Sequence, residues 1–174
     1  MARALAWCYF RIGQYDKALF ISSRLSKKFP SDTQSKIVVI RTLVKLKRYD
    51  EAQRILTFKK THKDELYKPF LASVQGDIYF GQNKIDLAMN EYRKALFERP
   101  FLAGSLLGYG RCMLMKGNIK SAVEHFERAL RVKPNMVEGY FLLAKAYEIN
   151  QPKKAVLYYK RFLKKSGSNP EYLS

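Results

Sequence analysis

The chain has 174 residues, of which 47% are hydrophobic, 14% aromatic and 28% charged. That is material for one packed domain or one repeat array, and it argues against disorder. Lys and Arg number 33 against 15 Asp and Glu, a formal charge of +18, so the field draws acidic segments, anionic surfaces and nucleic acids.

Apolar residues recur at helical spacing along the whole chain. They predict helices near residues 2–12, 15–28, 33–46, 49–61, 68–81, 85–98, 102–115, 119–132, 136–149 and 152–165. The first of these opens with Arg3, too soon for a signal peptide, and no apolar run approaches the roughly 20 residues of a membrane span. A cytoplasmic location is the resulting expectation. Turns are marked by Gly13, by Gln82-Asn83 and by Lys116-Gly117-Asn118. Pro30, Pro100 and Pro134 follow second helices and stop them, because proline lacks the amide proton and clashes with the preceding turn. Pro69 suits the first turn of the fifth helix. Ser168-Asn169-Pro170-Glu171 has the cap, first-turn proline and early acid of a further or capping helix over 168–174.

Internal repetition is the strongest signal. Ala18, Ala52, Ala88, Ala122 and Ala155 are separated by 34, 36, 34 and 33 residues. Ala6, Ile40, Gly76, Gly110 and Ala144 keep the same step, as do Tyr9, Leu43, Tyr79, Met113 and Tyr147. The units are approximately 1–32, 33–66, 69–102, 103–136 and 137–167, each a helical pair. The small residues are expected where two helices approach closely and a bulky residue of the partner helix fills the space beside them. Unit two is degenerate: Lys47 stands in the turn-glycine column and Asp64 replaces the closing proline. Two extra residues precede unit three, and unit five is one short around Gln151-Pro152.

Gly76-Asp77-Ile78-Tyr79 with Ala88, Tyr92, Ala95-Leu96 and Pro100, then Gly110, Gly117, Ala122, Phe126, Ala129-Leu130 and Pro134, make the chain resemble the tetratricopeptide-repeat family over nearly its whole length. The signature Trp is missing from these two well-matched units. The resemblance implies an all-α fold, a right-handed α-solenoid of about five helical hairpins, whose first helices line a concave groove that takes extended peptides or partner helices. Carried onto this sequence, the implied groove residues are Arg3, Trp7, Phe10, Arg11, Arg41, Lys45, Phe70, Phe80, Arg111 and Lys145. Asp77 and Glu138 also fall at lining positions. Cations beside aromatics suit an acidic or aromatic protein segment; the competing reading of Trp7 and Phe10 is packing against an upstream helix. No Asn stands at the sixth or ninth position of any unit, which disfavours a chaperone-type carboxylate clamp.

No catalytic or cofactor-binding pattern is present, and neither an enzymatic role nor a cofactor is expected. His62 and His125 lack the partners of a metal pair or a triad; His62 is placed in an inter-repeat loop and His125 on an exposed helix face. Gly104, Gly108 and Gly110 sit inside a helix rather than after a strand, so they form no phosphate loop. Cys8 and Cys112 share one repeat position three units apart, beyond bridging distance, and are expected to be half-buried. Paired cations such as Lys27-Lys28 and Lys164-Lys165 complement helix C-termini. The expected function is a protein–protein interaction scaffold within a larger assembly. RNA or DNA binding through the basic surface is the alternative.

Overall fold

A computed structural model describes residues 2–57 and 62–167, and among these there are ten α-helices and no strand. They are α1 (Ala2–Arg11), α2 (Tyr15–Lys28), α3 (Thr33–Lys45), α4 (Tyr49–Leu56), α5 (Lys68–Gly81), α6 (Ile85–Glu98), α7 (Ala103–Met115), α8 (Ile119–Val132), α9 (Val137–Tyr147) and α10 (Pro152–Ser166). Consecutive helices pair as antiparallel hairpins, and each hairpin packs on the next. The odd-numbered helices also touch one another from hairpin to hairpin, so they form one continuous wall.

Turn chemistry fixes the hairpins. Gly13, Lys47, Asn83 and Gly117 all have positive φ, at 77°, 59°, 59° and 77°. One left-handed residue therefore closes each of the first four hairpins, and only two of the four are glycine. Three second helices end where expected. α2, α6 and α8 stop two residues before Pro30, Pro100 and Pro134, and the intervening Phe29, Arg99 and Lys133 take extended φ of −126°, −136° and −138°, as a residue before proline must. Pro69 lies in the first turn of α5. The Asp32 carboxylate accepts the Ser35 amide at 3.5 Å, and Asn118 Oδ1 accepts the Ser121 amide at 3.1 Å, capping α3 and α8.

The helix expected over 49–61 is shorter. α4 ends at Leu56, and the Thr57 hydroxyl donates to the Arg54 carbonyl at 2.9 Å, competing with continuation of the ladder. Residues 58–61 lie outside the described set. His62 lies in the connection between the second and third units, as expected, where it begins a 3-10 turn running to Tyr67. The expected helix start at 168–174 also lies outside the described residues.

Every alanine of the leading column, Ala18, Ala52, Ala88, Ala122 and Ala155, is buried. A Cβ on Gly110 would meet Phe126 Cε1 at 2.5 Å, so α7 and α8 approach at the glycine as expected. Ile40, Val74 and Ile78 centre the core of the first half; Leu106, Phe126 and Leu143 centre that of the second. Cys8 and Cys112 are not equally half-buried: Cys8 is exposed and Cys112 fully buried. Thr42, Ile78 and Ala146, in the same column, are also buried. The buried members lie on first helices with a preceding hairpin packed against them, whereas α1 has described neighbours only toward α2 and α3.

Candidate functional site

Side chains from five consecutive first helices, α1, α3, α5, α7 and α9, converge on the inner wall. Trp7 of α1 stacks on Phe10, with centroids 5.2 Å apart and planes 12° from parallel. The Arg41 guanidinium of α3 lies over the Trp7 ring at 5.8 Å. A Cβ on Gly104 of α7 would stand 4.0 Å from one Arg41 Nη and from Ser73 Oγ. The missing side chain is therefore space left beside the guanidinium. Arg41 Nε is buried without a hydrogen-bond partner.

Asp77 of α5 sits between Arg41 and Arg111 of α7, feeling the charge of both. Burial nonetheless holds its carboxyl above the usual carboxylate range; the two guanidiniums and the Tyr92 hydroxyl pull the other way, and Glu138 adds to the upward push. Arg111 covers the Phe80 ring at 4.0 Å and reaches Glu138 of α9 at 3.6 Å. The inner wall thus reads Trp7, Arg41, Asp77, Arg111, Glu138, with charge alternating after the aromatic.

One contributor comes from the outer layer. The Tyr92 hydroxyl, on α6, donates to Asp77 Oδ1 at 2.8 Å. Its ring passes between α5 and α7 because Gly76 and Gly108 leave room for it: added Cβ atoms would lie 2.6 Å and 2.3 Å from ring carbons. Burial, and then the Asp77 charge, push the Tyr92 phenol well above its ordinary value, so it stays a donor. Its repeat position did not mark this residue as part of the wall. The glycines flanking it, one in each adjoining first helix, are the signal that could have.

The other expected groove residues divide. Arg3 is drawn aside to Asp32 at 3.2 Å. Arg11 and Lys45 lie at the ends of α1 and α3, both exposed. Phe70 lies under Arg99 at 4.9 Å, near the α6–α7 turn. Lys145 pairs with Glu148 of its own unit at 3.6 Å. His125 is half-buried rather than exposed: its Nδ1 is 2.8 Å from the Ser121 carbonyl and its ring 4.9 Å from that of Tyr109. Among the described residues no group of His, Cys, Asp and Glu is placed to hold a metal ion, and no helix is long and apolar enough to cross a membrane. A cleft of about 1020 Å³ opens on the other face of α5, between α4 and α6, lined by Leu56, Leu71, Leu87 and Phe97 with balanced charge from residues such as Glu91 and Lys94.

Two family models match. That for the tetratricopeptide repeat covers residues 74–135 and 116–170, which overlap and together span more than half of the chain. This chain belongs to the tetratricopeptide-repeat family. A second model, described as anaphase-promoting complex, cyclosome, subunit 3, matches residues 2–59. Among solved structures, TTC0263, a thermophilic tetratricopeptide-repeat protein of Thermus thermophilus, superposes with a TM-score of 0.81 at 19% identity, covering 98% of this chain and 92% of that one. The APC/C hetero-tetramer Cut9–Hcn1 gives 0.72 at 15% identity, over 85% of this chain and 28% of that chain. MamA gives 0.59 at 19% identity, over 98% and 93%. No curated protein matches. The architecture is the right-handed α-solenoid of tetratricopeptide hairpins.

Proposed function

We propose that this tetratricopeptide array is a non-catalytic scaffold whose inner wall holds an acidic, partly aromatic segment of another protein. The observation that carries the reading is the grouping of Trp7, Phe10 and Arg41 at one end of the wall. There a guanidinium presented on an aromatic face stands beside a glycine-made gap. A carboxylate can reach the outer nitrogens of Arg41, and an aromatic side chain of the ligand can lie against Trp7 and Phe10. Arg111 over Phe80 repeats the pairing further along the array. The Cut9–Hcn1 neighbour, by its name, works inside a multi-subunit assembly, which is consistent with a role in holding partners together.

The test is binding of fluorescent peptides bearing Glu and Phe, measured against Arg41→Glu/Lys45→Glu. The variant should lose the acidic peptides while its far-ultraviolet circular dichroism stays that of the wild type, and Lys45→Glu alone, at an exposed position, should weaken them in the same direction. Unchanged affinity would remove the inner wall from the account. Nucleic-acid binding through the basic surface predicts a different result: a gel shift that weakens by about a thousandfold or more between roughly 50 and 200 mM salt. The basic residues form no one-per-repeat reading pattern.

A further inference from the structure

The first turn of α3 holds a carboxylate of the chain's own. Asp32, its N-cap, accepts from the Ser35 hydroxyl at 2.6 Å and the Ser35 amide at 3.5 Å, and Arg3 of the preceding unit reaches it at 3.2 Å. Two units on, by the step that carries Ala52 to Ala122, the columns of Asp32, Ser35 and Arg3 fall on Leu102, Ser105 and Ser73. The serine on the helix is kept and the acid is gone. Leu102 caps α7 without a side-chain acceptor, and the first amides of a helix have no partner within it.

Two buried donors are left over at this helix end. Ser105 is 0% exposed and its hydroxyl has no hydrogen-bond partner, and Arg41 Nε is also buried without one. A native fold rarely leaves such groups unpaired. Ser35 lies as deep, at 1% exposed, and a carboxylate on the helix end still reaches it. The cation is supplied as well. Ser73 stands in the Arg3 column and is too short to serve; Arg41 comes instead, with one Nη 4.0 Å from a Cβ placed on Gly104.

We propose that the first turn of α7 is a carboxylate seat, taking from the bound segment the acid that Asp32 supplies to α3. The carboxylate accepts from the Gly104 and Ser105 amides, the Ser105 hydroxyl and the Arg41 guanidinium. Gly104 keeps the approach from the inner wall open. One guanidinium and one helix end match a single negative charge, and Asp32 shows that a carboxylate fits this donor set. A phosphoryl group carries more charge than the seat offsets. The seat rests on the reading of the inner wall as the site of an acidic segment, and says where on it the acid lands.

The experiment uses the whole 174-residue chain and labelled peptides with one Phe and one carboxylate. In one peptide the carboxylate is a Glu side chain and the C-terminus is amidated; in the other Gln replaces Glu and the C-terminus is free. Anisotropy should show at least one of them binding, which identifies the source. Gly104→Ala should weaken that peptide by about tenfold or more, with the fold kept because the new methyl meets no neighbouring helix nearer than 4.0 Å. Ser105→Ala should weaken it in the same direction without lowering Tm, since the hydroxyl it removes has no partner in the free chain. Binding that Arg41→Glu/Lys45→Glu abolishes and Gly104→Ala leaves unchanged keeps the wall reading and overturns the seat. So does a phosphoserine peptide that binds when neither carboxylate peptide does. If no peptide binds, the wall reading fails and stability decides the seat. Gly104→Asp should then melt about 1–4 °C above Gly104→Asn, and by less in an Arg41→Met background; equal Tm values overturn it.

Discussion

Replacing Gly108 by Ala isolates the packing of the Tyr92 ring. Alanine in a helix interior is favoured over glycine by about 1 kcal/mol, so an open site would be stabilised. At Gly108 the new methyl would meet Tyr92 Cζ at 2.3 Å and Cε1 at 2.5 Å. The ring cannot retreat, because on its other side a Cβ position at Gly76 already lies 2.6 Å from it and its hydroxyl is held by Asp77. Overpacking of this kind costs about 1–3 kcal/mol, so the net is a loss of up to about 2 kcal/mol after the helix gain is subtracted. In a chain of this length the expected fall in Tm is up to about 8 °C. The decisive arm is the double substitution. Tyr92→Ala alone should cost about 3–5 kcal/mol, but with the ring gone Gly108→Ala should reverse sign and stabilise by up to about 1 kcal/mol. Urea titration followed by circular dichroism measures all four corners of the cycle. Stabilisation by Gly108→Ala in the wild-type background, or the same effect in both backgrounds, would refute the wedge.

Tyr92→Phe should destabilise by about 1–3 kcal/mol by taking the donor from Asp77, read by the same titration. Asp77 has a folded pKa raised above its unfolded one, so stability falls as pH rises from the unfolded carboxylate value through the folded one; Asp77→Asn should flatten that segment of the stability–pH curve. Asp32 is the opposite case: burial works to raise its pKa, but the Ser35 hydrogen bonds and Arg3 lower it overall. Its contribution is present above the unfolded pKa and lost as pH falls through the folded one, and Asp32→Ala should cost about 0.5–2 kcal/mol at neutral pH as the α3 cap is lost. Burial pushes the Cys112 thiol up to about 11, so iodoacetamide at pH 8 should label exposed Cys8 and spare Cys112 in the folded chain, by mass spectrometry; equal labelling would contradict the burial. Lys47→Gly should raise Tm by relieving the left-handed backbone at φ 59°, by about 1 kcal/mol less the extra unfolded-state entropy of glycine, while Gly117→Ala, at φ 77°, should lower it.

Much of the architecture was legible because its punctuation is chemical. Helices expected over 15–28, 68–81, 85–98 and 119–132 coincide with those observed; prolines or left-handed turn residues bound them. Lys47 is recognisable as a turn residue by column alignment, not by composition: the neighbouring helices dictate the turn, and lysine bears the strain. The site was less legible. Position within a repeat gives the face a side chain leaves from, not where it ends. Arg3 and Arg111 are long enough to choose between open groove and carboxylates on other helices, and both take the carboxylate. Tyr92 was missed because its path depends on glycines in two different helices, a relation with no signature in a single stretch of chain. Cys8 and Cys112 occupy one column yet differ fully in exposure, since burial in a stack depends on the neighbouring hairpin rather than on the residue's own unit.

The Tyr92 wedge has a mechanical consequence. A single ring plugs holes in two adjoining first helices, so the third and fourth hairpins cannot part without drawing the Tyr92 ring out of its socket at Gly108. Where adjoining repeats share only surface they can fray one by one; these two are riveted. Under load or warming, the seam should open first elsewhere along the array, leaving that pair as the last intact segment.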